Sequence, residues 1–112
     1  LKNKLEKVCR IRQELDGHSG SYDTFIFFEE DKDKRNKIIK KMKDLGFGTK
    51  ILPDALEWHC SSFWGHAMEQ SEVEYSKNTL DLLNQSIGIP ILVKKEIQTY
   101  EILSEEITKI IN

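Results

Sequence analysis

The fold of this chain is decided by the stretch YDTFIFF at residues 22–28. Aromatic and β-branched residues follow one another there without a helical period, which is typical of a strand in the middle of a sheet. The preceding residues 16–21, DGHSGS, are rich in residues that favour turns, so they predict a loop. The sequence therefore indicates a central strand that the chain enters from a surface loop.

A helix is predicted directly after this strand. Asp31 is a suitable N-cap residue, and Gly46 stands where we expect the helix to end. Between them the apolar residues recur at helical spacing, at Ile38, Ile39, Met42 and Leu45. The other positions carry mostly lysine, arginine and aspartate, so we expect this helix to lie on the sheet with one side in water.

The rest of the chain predicts further helices and one more strand. Residues 1–15 and residues 72–85 each carry apolar side chains at the spacing of a single helix. Residues 89–93 predict a short strand, in which Pro90 fits an edge or a strand start. The last segment predicts an amphipathic helix whose apolar face is formed by Tyr100, Leu103, Ile107, Ile110 and Ile111. We therefore expect an α+β fold, a small two-layer domain with a few-stranded, mainly antiparallel sheet and helices packed on one side.

Composition narrows the class of protein. The chain has 112 residues, of which 17 are basic and 19 acidic, and it lacks the concentrated basic face that binding to nucleic acid requires. No apolar run approaches the roughly 20 residues of a membrane span. Two cysteines far apart do not make a disulfide scaffold, and they favour a reducing cytoplasm. Because the chain does not begin with Met, we expect it to be a piece of a longer product.

Unusual chemistry is concentrated in residues 58–68, WHCSSFWGHAM, which hold both tryptophans and two of the three histidines. Neither a helical nor a strand period explains this segment, and long loops of this composition are often functional. Three functional interpretations are open: a metal site, a Cys–His nucleophile pair, and a loop that lines a ligand pocket. The plain structural alternative is that Trp58 and Trp64 fill the gap between the loop and the sheet.

The metal-site interpretation depends on four possible ligands, His18, His59, Cys60 and His66. Adjacent residues of an extended chain point in opposite directions, so His59 and Cys60 would not readily bind one ion together. The spacing also matches no standard zinc motif. The pocket-lining interpretation is favoured, because indole and imidazole rings make rigid walls with polar edges that suit a polyhydroxylated ligand.

Several strings in the sequence resemble one known family. GSYDTFIFF at residues 20–28 is followed, after the predicted helix, by GTKILPDALEWH at residues 48–59 and by FWGHAM at residues 63–68. These strings resemble the C-terminal region of sugar aminotransferases of the DegT/DnrJ/EryC/StrS type. The similarity is greatest to the subgroup that aminates keto-octulosonate and related keto-sugars. SIGIPILVK at residues 86–94 is similar to the S-x-P-I-x-V-K strand of that family.

The resemblance covers nearly the whole chain and implies a part in a larger enzyme. Residues 1–15 would be the end of an interdomain helix, and residues 16–112 would be the C-terminal small domain of a fold-type I pyridoxal-phosphate enzyme. The large domain, absent from this chain, would hold pyridoxal phosphate and the lysine that binds it. The full enzyme would be a cytoplasmic homodimer that transfers an amino group from glutamate to a keto-sugar. This chain alone would be inactive, with no catalytic residue of its own.

For the substrate site, the resemblance points to Trp58, His59, Trp64 and His66, which would shape the sugar pocket and hydrogen-bond the sugar. Two departures from the family pattern bear on substrate choice. Cys60 stands where an aromatic residue is usual, and Gly65 replaces the acidic residue of the usual W-D-H. Two alternatives stay open: a non-enzymatic ligand-binding or interaction module, and a fragment of a pyridoxal-phosphate-dependent sugar dehydratase. The reading frame upstream of Leu1 would distinguish an enzyme from a module, because an aminotransferase requires a few hundred residues there.

Overall fold

The aromatic run of the sequence forms the central strand of a three-stranded antiparallel sheet. The computed structural model describes residues 1–48, 56, 60–69, 71 and 77–112. Its strands are β1 (Arg10–Ile11), β2 (Thr24–Phe28) and β3 (Ser86–Pro90), in the order β1-β2-β3. Together with the helices described below, this arrangement confirms the predicted α+β fold.

The register of the sheet puts the largest apolar side chains on one face. Phe27 stands opposite Ile11 of β1 and opposite Ile87 of β3, and Phe25 stands opposite Ile89. Directly opposed residues of antiparallel strands point to the same side of the sheet. Phe27, Ile87 and Ile89 are completely buried, so this face is the floor of the hydrophobic core.

The helices supply the other half of the core. The described helices are α1 (Lys2–Leu5), α2 (Lys32–Asp44), α3 (Lys77–Asn84) and α4 (Ile97–Ile111), with a 3-10 helix at Ser61–Phe63. Helix α4 contacts both α1 and α2, and α2 also contacts β3. The fully buried helical side chains of the core are Leu5, Ile38, Met42, Leu103 and Ile107. No helix of the described ranges is both long and apolar enough to cross a membrane.

Helix α2 begins and ends as the sequence predicts. Oδ1 of Asp31 accepts hydrogen bonds from the backbone N–H groups of Asp33 at 2.8 Å and Lys34 at 3.1 Å. At the other end Gly46 takes a positive φ of 72°, which glycine adopts without steric cost. The N–H of Phe47 then reaches back to the carbonyl of Met42 at 2.9 Å, completing a Schellman motif whose apolar partners are both buried.

The predicted helix over residues 1–15 is wrong. Helix α1 ends at Leu5, the chain turns, and β1 pairs with β2. Leu5 in α1 and Ile11 in β1 are both buried. The apolar spacing that predicted one long helix is therefore equally compatible with a short helix followed by a short strand. Leu15 is 75% exposed and takes no part in that face.

The strand predicted at residues 89–93 begins and ends three residues earlier in the structure. The observed strand β3 ends at Pro90, and Val93 is fully exposed. Pro90 does lie on an edge strand, as predicted, because β3 has only β2 as a partner in the described sheet. Of the predicted helix at residues 72–85, the described part is α3, and residues 72–76 lie outside the described residues.

Replacing Asp31 with alanine is expected to destabilise the fold, because two N–H groups of α2 then lose their acceptor. The hydrogen bonds from Lys34 and then Asp33 hold the pKa of Asp31 below its ordinary value. A carboxyl group with a lowered folded-state pKa stabilises the fold above its unfolded-state pKa, and this contribution is lost as pH falls through the folded-state pKa. Urea denaturation should therefore show the largest difference between D31A and the unsubstituted chain near neutral pH, and a smaller one in acid.

Asp33→Ala is the matched control for this prediction, since Asp33 contributes its backbone N–H to the cap and alanine retains that group. D33A should therefore lose less stability than D31A at neutral pH. Equal losses in the two variants, or a difference that does not change with pH, would contradict the capping role of the Asp31 carboxylate.

Candidate functional site

The described part of the unusual segment, residues 60–69, folds as two consecutive turns. The N–H of Trp64 donates to the carbonyl of Ser61 at 2.9 Å and closes the 3-10 helix. The carbonyl of Trp64 then accepts from the N–H groups of Ala67 at 2.8 Å and Met68 at 3.0 Å. We call residues 64–68 the aromatic turn. These hydrogen bonds hold the backbone of the turn, on which Trp64 and His66 lie.

Two of the four predicted substrate-binding residues lie on this turn, and both face water. Trp64 is 40% exposed, and His66 is exposed. Trp64 is therefore covered in part, and the rest of its indole is available for contact with a ligand. The other two predicted residues, Trp58 and His59, lie outside the described residues.

Cys60 anchors the base of the segment. It is only 4% exposed, its N–H donates to the carbonyl of Leu56 at 2.8 Å, and its Sγ lies 3.5 Å from Oγ of Ser62. Leu56 is also buried. A thiol enclosed in this way is poorly placed to attack a substrate, so the geometry disfavours the interpretation as a Cys–His nucleophile pair.

Neither the second cysteine nor the remaining histidine builds a reactive site. Burial, and secondarily the charge of Glu29, raise the pKa of the Cys9 thiol to about 11, so this thiol is protonated at neutral pH. Its Sγ donates to the carbonyl of Leu5 at 3.2 Å. His18 is exposed, with Nδ1 3.1 Å from the carbonyl of Asp16. Within the described ranges, no three His, Cys, Asp or Glu side chains are grouped so that they could hold a metal ion.

The structure also contains a cavity that the sequence did not predict, with a volume of about 410 Å³. It lies between residues 11–14 and 20–26, with Ile91 and the first two residues of the chain completing its wall. We call it the loop cleft. Trp64 and His66 do not line it. Its polar residues, among them Arg12, Gln13 and Tyr22, have an ordinary loop composition, so no sequence motif marks them.

No protein-family model, no curated protein and no solved structure matches this chain.

Replacing Gly65 with aspartate restores the acidic residue of the W-D-H pattern, and we expect the aromatic turn to accept it. No atom of the described residues lies within 4 Å of the position that a Cβ of residue 65 would take, and the φ of Gly65 is not in the left-handed region. The free energy of unfolding in urea should change by about 0.5 kcal/mol or less. Gly46→Ala is the contrasting control, because its φ of 72° strains any side chain, and it should cost about 1 kcal/mol or more. A loss for G65D as large as that for G46A would contradict the described geometry of the turn.

Proposed function

We propose that this chain is the C-terminal small domain of a pyridoxal-phosphate-dependent aminotransferase that transfers an amino group from glutamate to a keto-sugar. The proposal is carried by the aromatic turn: Trp64 and His66 are exposed at the point where FWGHAM resembles the aromatic and W-x-H-M string of that family, with Ala67 as one additional residue between the histidine and the methionine. The confirmed α+β fold is consistent with such a small domain but is shared by many unrelated proteins.

The chemistry of the aromatic turn suits the recognition of a sugar. An indole offers a flat apolar face against the C–H groups of a sugar ring and an N–H donor at its edge. The imidazole of His66 can donate to one hydroxyl and accept from another. Because the backbone of the turn is already hydrogen-bonded, binding would order few additional groups, which favours affinity.

The role proposed for this chain is to position the substrate. Pyridoxal phosphate, when bound, supplies the electron sink of the reaction. By the resemblance, the groups that hold the cofactor would belong to the large domain of the enzyme. Within the proposed cytoplasmic homodimer, Trp64 and His66 would form one wall of the sugar pocket and exclude water from it.

The proposed function predicts that the full-length product of the gene encoding this chain binds pyridoxal phosphate, whereas residues 1–112 alone do not. The full-length protein mixed with the cofactor should show a near-visible absorbance band that glutamate bleaches. A full-length protein without such a band would overturn the proposal and favour a non-enzymatic module. Absence of the band together with loss of water from a keto-sugar would instead favour the dehydratase alternative, in which the lysine that binds the cofactor is replaced.

In the same full-length protein, Trp64→Ala and His66→Ala should each raise the KM for the keto-sugar about tenfold, the effect expected from loss of one good polar or stacking contact. The substrate for this assay is the keto-sugar, out of a panel of candidates, that the unsubstituted full-length protein turns over fastest. The rate at which glutamate bleaches the cofactor band should not change, because that half-reaction takes place without the sugar. Phe63→Ala is the matched control, since Phe63 is a neighbouring aromatic residue of similar exposure, 45%, with no proposed contact. If F63A raised the KM as much as W64A, the specific role of Trp64 would be contradicted.

A further inference from the structure

The loop beside the cleft is held by a backbone hydrogen bond near each of its ends, one to β2 and one to the residue that follows β3. The N–H of Arg12 donates to the carbonyl of Ile26 at 3.0 Å, just beyond β1. At the other end, the N–H of Ile91 donates to the carbonyl of Asp23 at 2.7 Å. Residues 12–23 therefore form a surface loop with anchored ends, a type of segment that is frequently functional. The cleft lies between this loop and the sheet.

One wall of the cleft is held in an unusual backbone conformation. Tyr22 has a φ of 55°, and it is the one non-glycine residue of the described ranges in the left-handed region. A bulky side chain rarely adopts that conformation, which persists where the surrounding structure demands it. Tyr22 lines the cleft and remains 65% exposed. Its aromatic ring is thus presented at the cleft and is not buried in the core.

The two cationic side chains of the cleft have no charged or hydrogen-bonding partner among the described residues. Lys2, Arg12 and Glu14 all line it, two cations and one anion. No ion pair or side-chain hydrogen bond within the described residues involves the ammonium group of Lys2 or the guanidinium of Arg12. A planar guanidinium binds a carboxylate through two parallel hydrogen bonds. The cleft therefore offers a positive pole with unused hydrogen-bond donors.

Apolar residues complete the cleft and limit the ligands that fit. Phe25, Ile26 and Ile91 line it, and Ile91 is 40% exposed. The volume of about 410 Å³ lies within the range typical of small-molecule sites. Glu14 would repel a second negative charge on the ligand. A ligand with an apolar body and a single negative charge thus matches the lining better than a phosphate monoester, which carries about −1.5 to −2 charges at neutral pH.

We propose that the loop cleft binds a small organic monocarboxylate. The carboxylate pairs with Arg12 and Lys2, and the apolar body of the ligand packs against the exposed side chain of Ile91 and the adjoining surface of β2. This inference does not depend on the proposed aminotransferase function, because it uses no residue of the aromatic turn.

The test is an amide NMR titration of the ¹⁵N-labelled 112-residue chain with three probes that share a phenyl ring: phenylacetate, phenyl phosphate and the neutral 2-phenylethanol. Phenylacetate should produce saturable shifts at the amides of Arg12, Thr24 and Ile91. The other two probes should bind at least about fivefold more weakly. Glu14 repels the additional negative charge of phenyl phosphate, and 2-phenylethanol has no negative charge to pair with Arg12.

Two arginine variants separate the cleft from general electrostatic attraction. Arg12→Gln should weaken phenylacetate binding about tenfold while the amide spectrum stays dispersed. Arg10→Gln removes the same charge two residues away, where the guanidinium lies 5.0 Å from the centre of the Phe28 ring and outside the cleft. It should change binding less than twofold.

Ile91→Ala tests the apolar contact independently and should weaken phenylacetate binding about threefold, because it removes part of the exposed surface that the phenyl ring would cover. Four outcomes would overturn the proposal: no saturable shifts with phenylacetate, equal binding of 2-phenylethanol, tighter binding of phenyl phosphate, or equal weakening in R12Q and R10Q.

Discussion

The pairing of β2 with both of its neighbours is the interaction on which the rest of the structure depends. Phe27 is opposed by Ile11 on one side and Ile87 on the other, and its own side chain is completely buried. Strand β1 has only two residues, so it is stable only because β2 holds it. One end of the loop beside the cleft is hydrogen-bonded to the same strand, through the N–H of Arg12 and the carbonyl of Ile26, and the other end runs directly into it. One strand therefore sets the floor of the core, the position of the N-terminal segment and the frame of the cleft.

The features that the sequence predicts correctly are those with a local cause. The start of α2 depends on the Asp31 side chain reaching two N–H groups a few residues away, and its end depends on the conformational freedom of Gly46. Both causes can be read from the residue types. Strand β1 has no such signal, because its conformation follows from pairing with residues 27 and 28. Strand β3 is misplaced for the same reason: the apolar run at residues 87–93 is continuous, and only its pairing with β2 decides where the strand ends.

The candidate sites show the same division between local and distant causes. The concentration of tryptophan and histidine in residues 58–68 can be seen in the sequence, but which of these side chains are exposed cannot. Cys60 and Trp64 are both residues that commonly lie inside proteins, yet the first is buried and the second is not. The loop cleft has no sequence signature at all, because residues as distant as Arg12, Tyr22 and Ile91 meet only after the loop is fastened to β2.

The exposed aromatic side chains of residues 63 and 64 have an energetic consequence for the whole protein. Apolar surface left in water forgoes roughly 25 cal/mol for each Å² that could be covered. This domain leaves Phe63 and Trp64 about half exposed while it encloses the smaller Cys60 next to them. Because hydrogen bonds already hold the backbone of the aromatic turn, a surface that covered Trp64 would gain this free energy with little loss of conformational entropy. Such an arrangement suits a pocket wall that is completed by a ligand or by a further domain, and this is the physical basis for assigning the turn a role in recognition.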